Sequence, residues 1–409
     1  MSCDCDSYQQ HLLPFTTAYA NLIAHAQCSL ASETIPLLQA TGRILSQAVI
    51  SPVNVPPHNN SAMDGYAFKF NDLAEHQNLT LVGTALAGHP YSNRINHGEC
   101  IRIMTGAPIP SSVDTVVMQE MTCATDNVIS IKDAHKLKLG ANVRQCAEDI
   151  ALGQTILNQG HTLKAADIGL LASLGIHQIT VYQKITVAVL STGDELVSPG
   201  DTLSPGQIYE SNRHTLIAYL QQLPVNIVDL GIIKDSKEAI REAFWHADEV
   251  ADVVISSGGV SVGEADFIKD ILNELGEINF WKLAIKPGKP FAYGQLANSH
   301  FIGLPGNPVS ATVTFEQLAL PFIQTLMGTQ AKSQTKLLAT ATSDFKKRPG
   351  RFEFQRAIAT EQDGKWQVVS VGAQGSGILS SMSRANCYVL LEENSNGAAI
   401  GDTVTIALF

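Results

Sequence analysis

The sequence predicts a multidomain chain in which a parallel-sheet α/β unit is combined with two β-rich units. Three observations lead there. From Lys184 onward, apolar strands alternate with helical patterns, as in a parallel sheet covered on both faces. Between Ser61 and about Asp149, short β-type runs are separated by turn residues, and β-type runs return after Gly328. At 409 residues and 45% hydrophobic content, the chain has material for several cores.

Taken in order, Pro14 to Cys28 carries Phe15, Tyr19, Leu22, Ile23 and Ala26 at near-helical spacing, which predicts an amphipathic helix. Glu33–Ser51 reads as a second short element, with a turn at Ala40-Thr-Gly-Arg43. The Pro-rich stretch Ser51–His58 is extended and predicts a crossing between domains. Leu79–Val82, Cys100–Ile103, Thr115–Met118 and Val128–Ile131 are the strands of a small β-rich module. Two polar turns sit in it, Asn60–Ala67 and Met104–Pro108, and Asn142–Ile150 closes it with an arginine and an acidic pair. Each turn, taken alone, also reads as ordinary Asp-Gly or Thr-Gly turn chemistry. Ala165–Leu174 is helical and capped by Gly175, and Gln178–Tyr182 is a strand.

The alternating region has strands at Ile185–Leu190, Val225–Ile233 and Asp252–Ser256, with helices from about Ser211 and at Lys237–Ala251 behind an Asp235-Ser236 cap. Trp281–Ile285 and His300–Leu304 are further strands, and Pro308–Met327 is a long apolar helix closed by Gly328. Beyond it, Gln334–Ala341, Glu353–Ala359, Trp366–Val371, Tyr388–Leu391 and Thr403–Leu408 fit a compact sheet or barrel, with a hairpin at Asp363-Gly364.

Composition narrows the function. A net charge of −11 with 16% charged residues disfavours nucleic acid as a partner, so anionic ligands must be held by local basic patches. Seven scattered cysteines fit a reducing cytosol, and Cys3-Asp-Cys5 lacks companions for a zinc set and reads as part of an unstructured terminus. The acidic start predicts no secretory leader, and no apolar run approaches the roughly 20 residues of a membrane helix. The expectation is a cytoplasmic protein without a membrane contact.

The chemistry concentrates at strand ends. Ser191–Glu195, Asp235, Ser257–Asp266, Lys286–Lys289 and Pro305–Asn307 all fall at or just beyond predicted strands, where ligands of open α/β sheets bind. Gly258-Gly259 permits close backbone approach, and Asn307 and Pro308 suit the start of a helix whose N–H groups face an anion. Carboxylates next to such phosphate cradles suit Mg²⁺. Dinucleotide and P-loop fingerprints, zinc-protease motifs and a serine elbow are all missing from the sequence.

Six motifs, in order, carry a family resemblance: Ser61-Ala-Met-Asp-Gly-Tyr-Ala67, Met104-Thr-Gly-Ala-Pro108, Ser191-Thr-Gly-Asp-Glu-Leu196, Ser257-Gly-Gly-Val-Ser-Val-Gly263, Lys286-Pro-Gly-Lys-Pro290 and Leu304-Pro-Gly-Asn-Pro308. The sequence resembles the molybdopterin molybdenumtransferases, the family of bacterial MoeA and the E domain of gephyrin, from about Pro14 to Phe409. Phe352–Arg356 and Gly375–Asn386 match family segments in outline.

The resemblance implies a homodimer of elongated, four-part subunits. The parts would be a helical linker domain (14–52 with 150–182), an inserted β-rich module (53–149), a molybdopterin-binding α/β domain (183–328) and a C-terminal β-barrel (329–409). It also implies the reaction: adenylylated molybdopterin and molybdate in, molybdenum cofactor and AMP out, with Mg²⁺ required. The upstream adenylyltransferase and downstream cofactor-delivery proteins are implied partners. The site would form where the inserted module of one subunit faces the α/β domain of the other. There Asp64, Thr105, Arg144 and Asp149 would stand opposite Glu195, Asp235, Asp266, Lys282 and Lys286. Charge then suggests roles. Lys282, Lys286 and Arg144 suit the anions, Glu195 and Asp266 the Mg²⁺, and Asp64 and Asp149 the orienting of water or of the dithiolene end. Thr105, Gly193, Asp235, Ser257, Gly258, Gly259, Pro305, Gly306 and Asn307 complete the expected binding set. Three other readings stay open: an adenylyltransferase-like nucleotide enzyme, a non-catalytic molybdopterin-binding scaffold, and a hydrolase that discharges AMP without inserting metal.

Overall fold

The computed structural model describes residues 12–258, 267–330 and 334–409. Its central sheet has the strand order Asn226–Ile233, Thr186–Thr192, Val253–Ser257, His300–Leu304, Pro290–Gln295, Glu277–Lys282. The first four run parallel, and the last two form an antiparallel edge. The expected parallel sheet is present, and it carries an antiparallel edge. The reason is the short Leu283–Lys289 return, since a parallel neighbour requires a crossover of a dozen residues or more. Strand Glu277–Lys282 nevertheless points the same way as the parallel four, being antiparallel to an antiparallel strand. Its end, Lys282, thus joins Thr192, Ile233, Ser257 and Leu304 on one rim.

Helix Lys237–Val250 covers one face, buries Ile240, Phe244 and Ala247, and starts where Ser236 Oγ accepts the Ala239 N–H. The other face carries helix Asn212–Leu220 and the segment Pro308–Leu326, which is α-helical at both ends with a π-helical stretch at Phe315–Ala319. The N-terminal helix, Phe15–Ala24, differs from expectation. Ala18 and Leu22 are fully buried in this same α/β core, in one cluster with Phe322, Ile323 and their neighbours, which Ile44 of the linker also enters. The apolar stripe needed a partner, and the long apolar helix offered a larger surface than the small linker core. What the linker does contain is mostly strand: Ser32–Pro36 pairs with Gln178–Tyr182, Val49–Ile50 with Thr155–Leu157, and only Ala165–Ser173 is α-helical there.

The module inserted between the linker segments is a six-stranded sheet ordered Thr115–Met118, Gly65–Phe68, Glu99–Ile103, Asn78–Ala85, Val128–Ile131, Thr122–Thr125. Its two chain crossings lie side by side, with Ser51 and Val55 donating backbone N–H groups to Gln154 and Ile150. The C-terminal strands Lys336–Ala341, Phe352–Gln362, Lys365–Ser370, Cys387–Leu391 and Thr403–Leu408 close on themselves as a five-stranded barrel. Asp363 and Gly364 both take positive φ in the expected hairpin turn.

A buried acid fastens the barrel to the α/β unit. Glu316, in the π-helical stretch, accepts from Tyr388 Oη of the barrel at 2.6 Å and from Tyr219 Oη of helix Asn212–Leu220. Burial holds its carboxyl above the ordinary glutamate value of 4.5, against the lowering effect of the two hydroxyls. A raised folded-state value contributes stability that is complete at acid pH and is lost as pH rises through it. Glu316→Gln is isosteric and does not titrate. Urea midpoints of the native chain should therefore fall relative to those of Glu316→Gln as pH increases from 4.5. Parallel curves would mean that Glu316 does not titrate differently on folding.

Candidate active site

At the rim, three strand ends meet through glycine. Gly258 has φ +95°, and a Cβ there would lie 3.0 Å from the Thr192 carbonyl oxygen. Its N–H donates to Leu304 O, and its Cα is 3.9 Å from the position of a Cβ on Gly306. Asn212 Nδ2 ties the cradle together, donating to Ser257 Oγ and to Gly306 O, both at 2.7 Å. Asn307 occupies the helix N-cap position without a side-chain cap bond, and Pro308 follows it as expected. One helix-start donor is already used: Val309 N–H bonds Ser376 O of the barrel's 372–377 loop. Gly259 and Asp266 lie outside the described residues.

The acidic side of the rim comes from two loops. Asp194 Oδ1 accepts the Asp235 N–H at 3.1 Å, drawing the ends of strands Thr186–Thr192 and Asn226–Ile233 together. Gly193 has φ +142°, which favours glycine, and Glu195 folds back over it so that a Cβ there would lie 2.6 Å from its Oε2. Asp194, Glu195 and Asp235 are exposed and present carboxylate oxygens. One or two such carboxylates with substrate phosphate oxygens are the donor set Mg²⁺ takes.

The basic side differs from expectation in its partner. Ile285–Lys286 is a short strand paired in parallel with Phe352–Glu353 of the barrel, rather than a free turn. Lys286 Nζ lies 3.2 Å from Oε1 of the buried Glu353, whose Oε2 also accepts from Gln355 Nε2. Together with Lys289, Lys346, Arg348 and Arg351, Lys286 lines a cavity of about 740 Å³ at the junction of the two units. Lys347 is not available there, since its amine donates to the carbonyls of Arg348, Glu393 and Ser395. Arg356, almost fully buried, holds the adjacent loop by donating to Ser381 Oγ and Gly375 O, each at 3.0 Å. Lys282 is exposed at the end of its strand.

On the inserted module, Asp64 Oδ1 accepts both the N–H (2.7 Å) and the hydroxyl (2.8 Å) of Thr105. Those bonds, the backbone one foremost, hold its carboxyl below the ordinary aspartate range. Gly106, next in the chain, needs its φ of +81° for the turn. Arg102 stands close by, donating to Tyr66 Oη and to Gln119 Oε1, with its guanidinium 5.1 Å from the Tyr66 ring centre. Arg144 is exposed opposite Asn60 on a two-residue strand, and Asp149 is exposed with its N–H on Val55 O. Among the described residues, no contact within one chain joins Asp64 and Thr105 to Glu195, Asp235 or Lys286.

Sequence reading missed Arg102, Gln119, Asn212, the barrel cations and Arg356. The cations of Lys346-Lys-Arg-Pro-Gly-Arg351 are adjacent in the chain, but only the fold brings them to Lys286.

Comparison with known proteins places the chain in a family. Residues 13–175 match the MoeA N-terminal region (domain I and II), 188–325 a probable molybdopterin binding domain, and 339–409 the MoeA C-terminal region (domain IV). A molybdopterin molybdenumtransferase of Haemophilus influenzae is 45% identical, the match covering 92% of this chain and 94% of that protein. The chain belongs to the molybdopterin molybdenumtransferase family. Another family member, from Bacillus subtilis, is 30% identical over 94% of this chain and 92% of its own. A gephyrin of Dictyostelium discoideum matches 92% of this chain at 30% identity, over 59% of its own length. The crystal structure of a molybdopterin biosynthesis MoeA protein from Pyrococcus horikoshii superposes with a TM-score of 0.83 at 26% identity, covering 97% of this chain and all of that one.

Proposed function

We propose that the protein inserts molybdate into adenylylated molybdopterin with release of AMP, in the cytoplasm, as a Mg²⁺-dependent homodimer. Family membership supports the transferase activity, and one observation supports the way it is carried out. The carboxylate-and-glycine rim of the α/β sheet and the cation-lined cavity of the barrel junction adjoin through Lys282–Pro290. A ligand with a nucleotide phosphate at one end and an oxyanion acceptor at the other spans such a surface. In this reading 183–328 and 329–409 supply the rim and the cavity, while 53–149 and the linker pieces (14–52, 150–182) present Asp64 to a second subunit.

Bound Mg²⁺ would neutralise phosphate oxygens and ease departure of AMP, and Glu195 and Asp266 are the residues to hold it, with Asp235 beside them on the binding rim. Gly258 and Gly306 let the nucleotide phosphate approach the backbone, and Asn212 keeps that cradle in shape. Lys286, with Lys282 and the barrel cations, supplies positive charge for molybdate and the pterin phosphate. Asp64, kept ionised by Thr105, suits orienting a water or a thiol rather than donating a proton at neutral pH. Arg144 and Asp149 would join it from the same subunit.

The test is product analysis on adenylylated molybdopterin with Mg²⁺, with and without molybdate. AMP release accompanied by retained molybdenum is expected. AMP release that leaves the pterin metal-free would favour the hydrolase reading, and turnover of MgATP on free molybdopterin the adenylyltransferase reading. Mixing inactive Asp64→Ala and Asp266→Ala chains should restore activity if each site needs two subunits; mixed dimers that stay inactive would remove that part of the proposal.

A further inference from the structure

The inserted module carries a second cluster of ligating side chains, at the other end of the strand pair from Asp64 and Thr105. Strands Gly65–Phe68 and Glu99–Ile103 are antiparallel, with Gly65 opposite Ile103 at one end and Phe68 opposite Cys100 at the other. Just outside that second end, the turn at His97-Gly98 meets the short helical turn Phe70–Ala74 and the two residues after it. Asp72 is buried there, at 1% exposure. Its Oδ1 lies 2.5 Å from His97 Nδ1, and its Oδ2 accepts the Gly98 N–H at 2.9 Å.

The Asp72 contact assigns the tautomer. A buried carboxylate accepts, so Nδ1 of His97 carries the hydrogen, and in the neutral ring Nε2 offers a lone pair. That Nε2 faces Glu75 Oε2 at 3.1 Å. A lone pair and a carboxylate at that distance repel unless a proton or a cation stands between them. The His76 ring lies edge-on to His97, with centroids 4.8 Å apart at 70°, and no side-chain hydrogen bond engages its nitrogens among the described residues. One ligand atom each from Glu75, His76 and His97 falls within 4.8 Å of the others.

We propose that Glu75, His76 and His97 bind a divalent transition ion of the zinc class, with Asp72 as the positioning residue behind His97. Two imidazoles and one carboxylate form a donor set that suits zinc and disfavours Mg²⁺. A carboxylate on the far nitrogen of a ligating histidine fixes ring orientation and raises its basicity. Tetrahedral zinc with bonds of about 2.0 Å sets its ligand atoms roughly 3.3 Å apart. The exposed Glu75 side chain and rotation of the half-buried His76 ring supply the closure needed. Gly98 matters here as well: it has φ +78°, and a Cβ on it would come within 3.3 Å of His76 Nε2. Binding would clip the 70–76 turn to the start of strand Glu99–Ile103, which carries Arg102 toward the candidate active site. Any proton on His97 Nε2 is released as the metal takes that lone pair.

The experiment is calorimetric titration of the full chain with Zn²⁺ in a Cys3→Ser/Cys5→Ser background, which removes the N-terminal thiols as competing ligands. One equivalent should bind, with loss of that equivalent in His76→Ala and in His97→Ala. Affinity should fall about 10- to 100-fold in Asp72→Asn. Melting of each metal-free variant reports whether the module is still folded. Zinc-edge absorption of the one-equivalent complex of the unvaried cluster provides a measurement independent of folding, and should show two imidazoles. Zinc uptake unchanged by the histidine substitutions, no binding at stoichiometric concentration, or a spectrum with fewer than two imidazoles would each reduce the cluster to a surface ion pair and overturn the proposal.

Discussion

Lys286→Ala is expected to weaken binding of adenylylated molybdopterin by about 30- to 150-fold, or roughly 2–3 kcal/mol, the scale of a lost charge-assisted contact in a partly desolvated site. Lys286 sits on a short strand clamped to the barrel, so its amine is placed by two units at once. The same substitution strips the buried Glu353 of its cation, which the isolated sequence gave no reason to consider. An uncompensated buried carboxylate destabilises the fold on its own account. The pair Lys286→Ala/Glu353→Gln separates the two effects, since glutamine keeps the bond from Gln355 without the charge. Stability should return in the double variant while ligand affinity stays low. If affinity returns as well, Lys286 acts by supporting the barrel junction and does not contact the anion.

Glu195→Gln is expected to slow AMP release by at least 100-fold, with partial recovery at raised Mg²⁺, while melting of the free protein stays within about 0.5 kcal/mol of the parent. The carboxylate is exposed and makes no hydrogen bond or ion pair among the described residues, so its removal leaves nothing buried unsatisfied. Asp266→Asn should behave the same way if both carboxylates hold one ion. A Glu195→Gln protein that turns over at the parent rate and with the parent Mg²⁺ dependence would remove Glu195 from the metal site. A Gly193→Ala variant adds a second arm: its Cβ would push the Glu195 carboxylate aside, so it should mimic Glu195→Gln without deleting the charge.

The sequence by itself determined most of the local structure, because local signals are short-range. Strand periodicity placed the four parallel strands, the Ser236 cap placed helix Lys237–Val250, and Asp363-Gly364 placed a hairpin. It also made the rim legible, since glycines and carboxylates that follow apolar strands must cluster at one sheet edge when those strands are parallel. The pairing of Asp64 with Thr105 was not legible in the same way: Asn60–Ala67 reads as a turn, and only the fold makes Gly65–Phe68 a strand paired with Glu99–Ile103, which brings the two residues together.

Tertiary structure decided what joins residues distant in the chain. Helix Phe15–Ala24 reads as amphipathic whatever it packs on, and only the competition between surfaces assigned it to the α/β core. The edge of the central sheet turned antiparallel because seven residues cannot cross over to a parallel neighbour. Lys286 reads as a cation in a rigid turn, yet the pairing of its strand with Phe352–Glu353 gives it a buried counter-ion and the company of Lys346, Arg348 and Arg351 across the barrel junction. The Glu75, His76 and His97 cluster shows the same limit most plainly. Nothing in the 20 intervening residues of turn and strand marks His97 as a neighbour of His76, and the distance between them is set by a sheet whose register no local signal encodes.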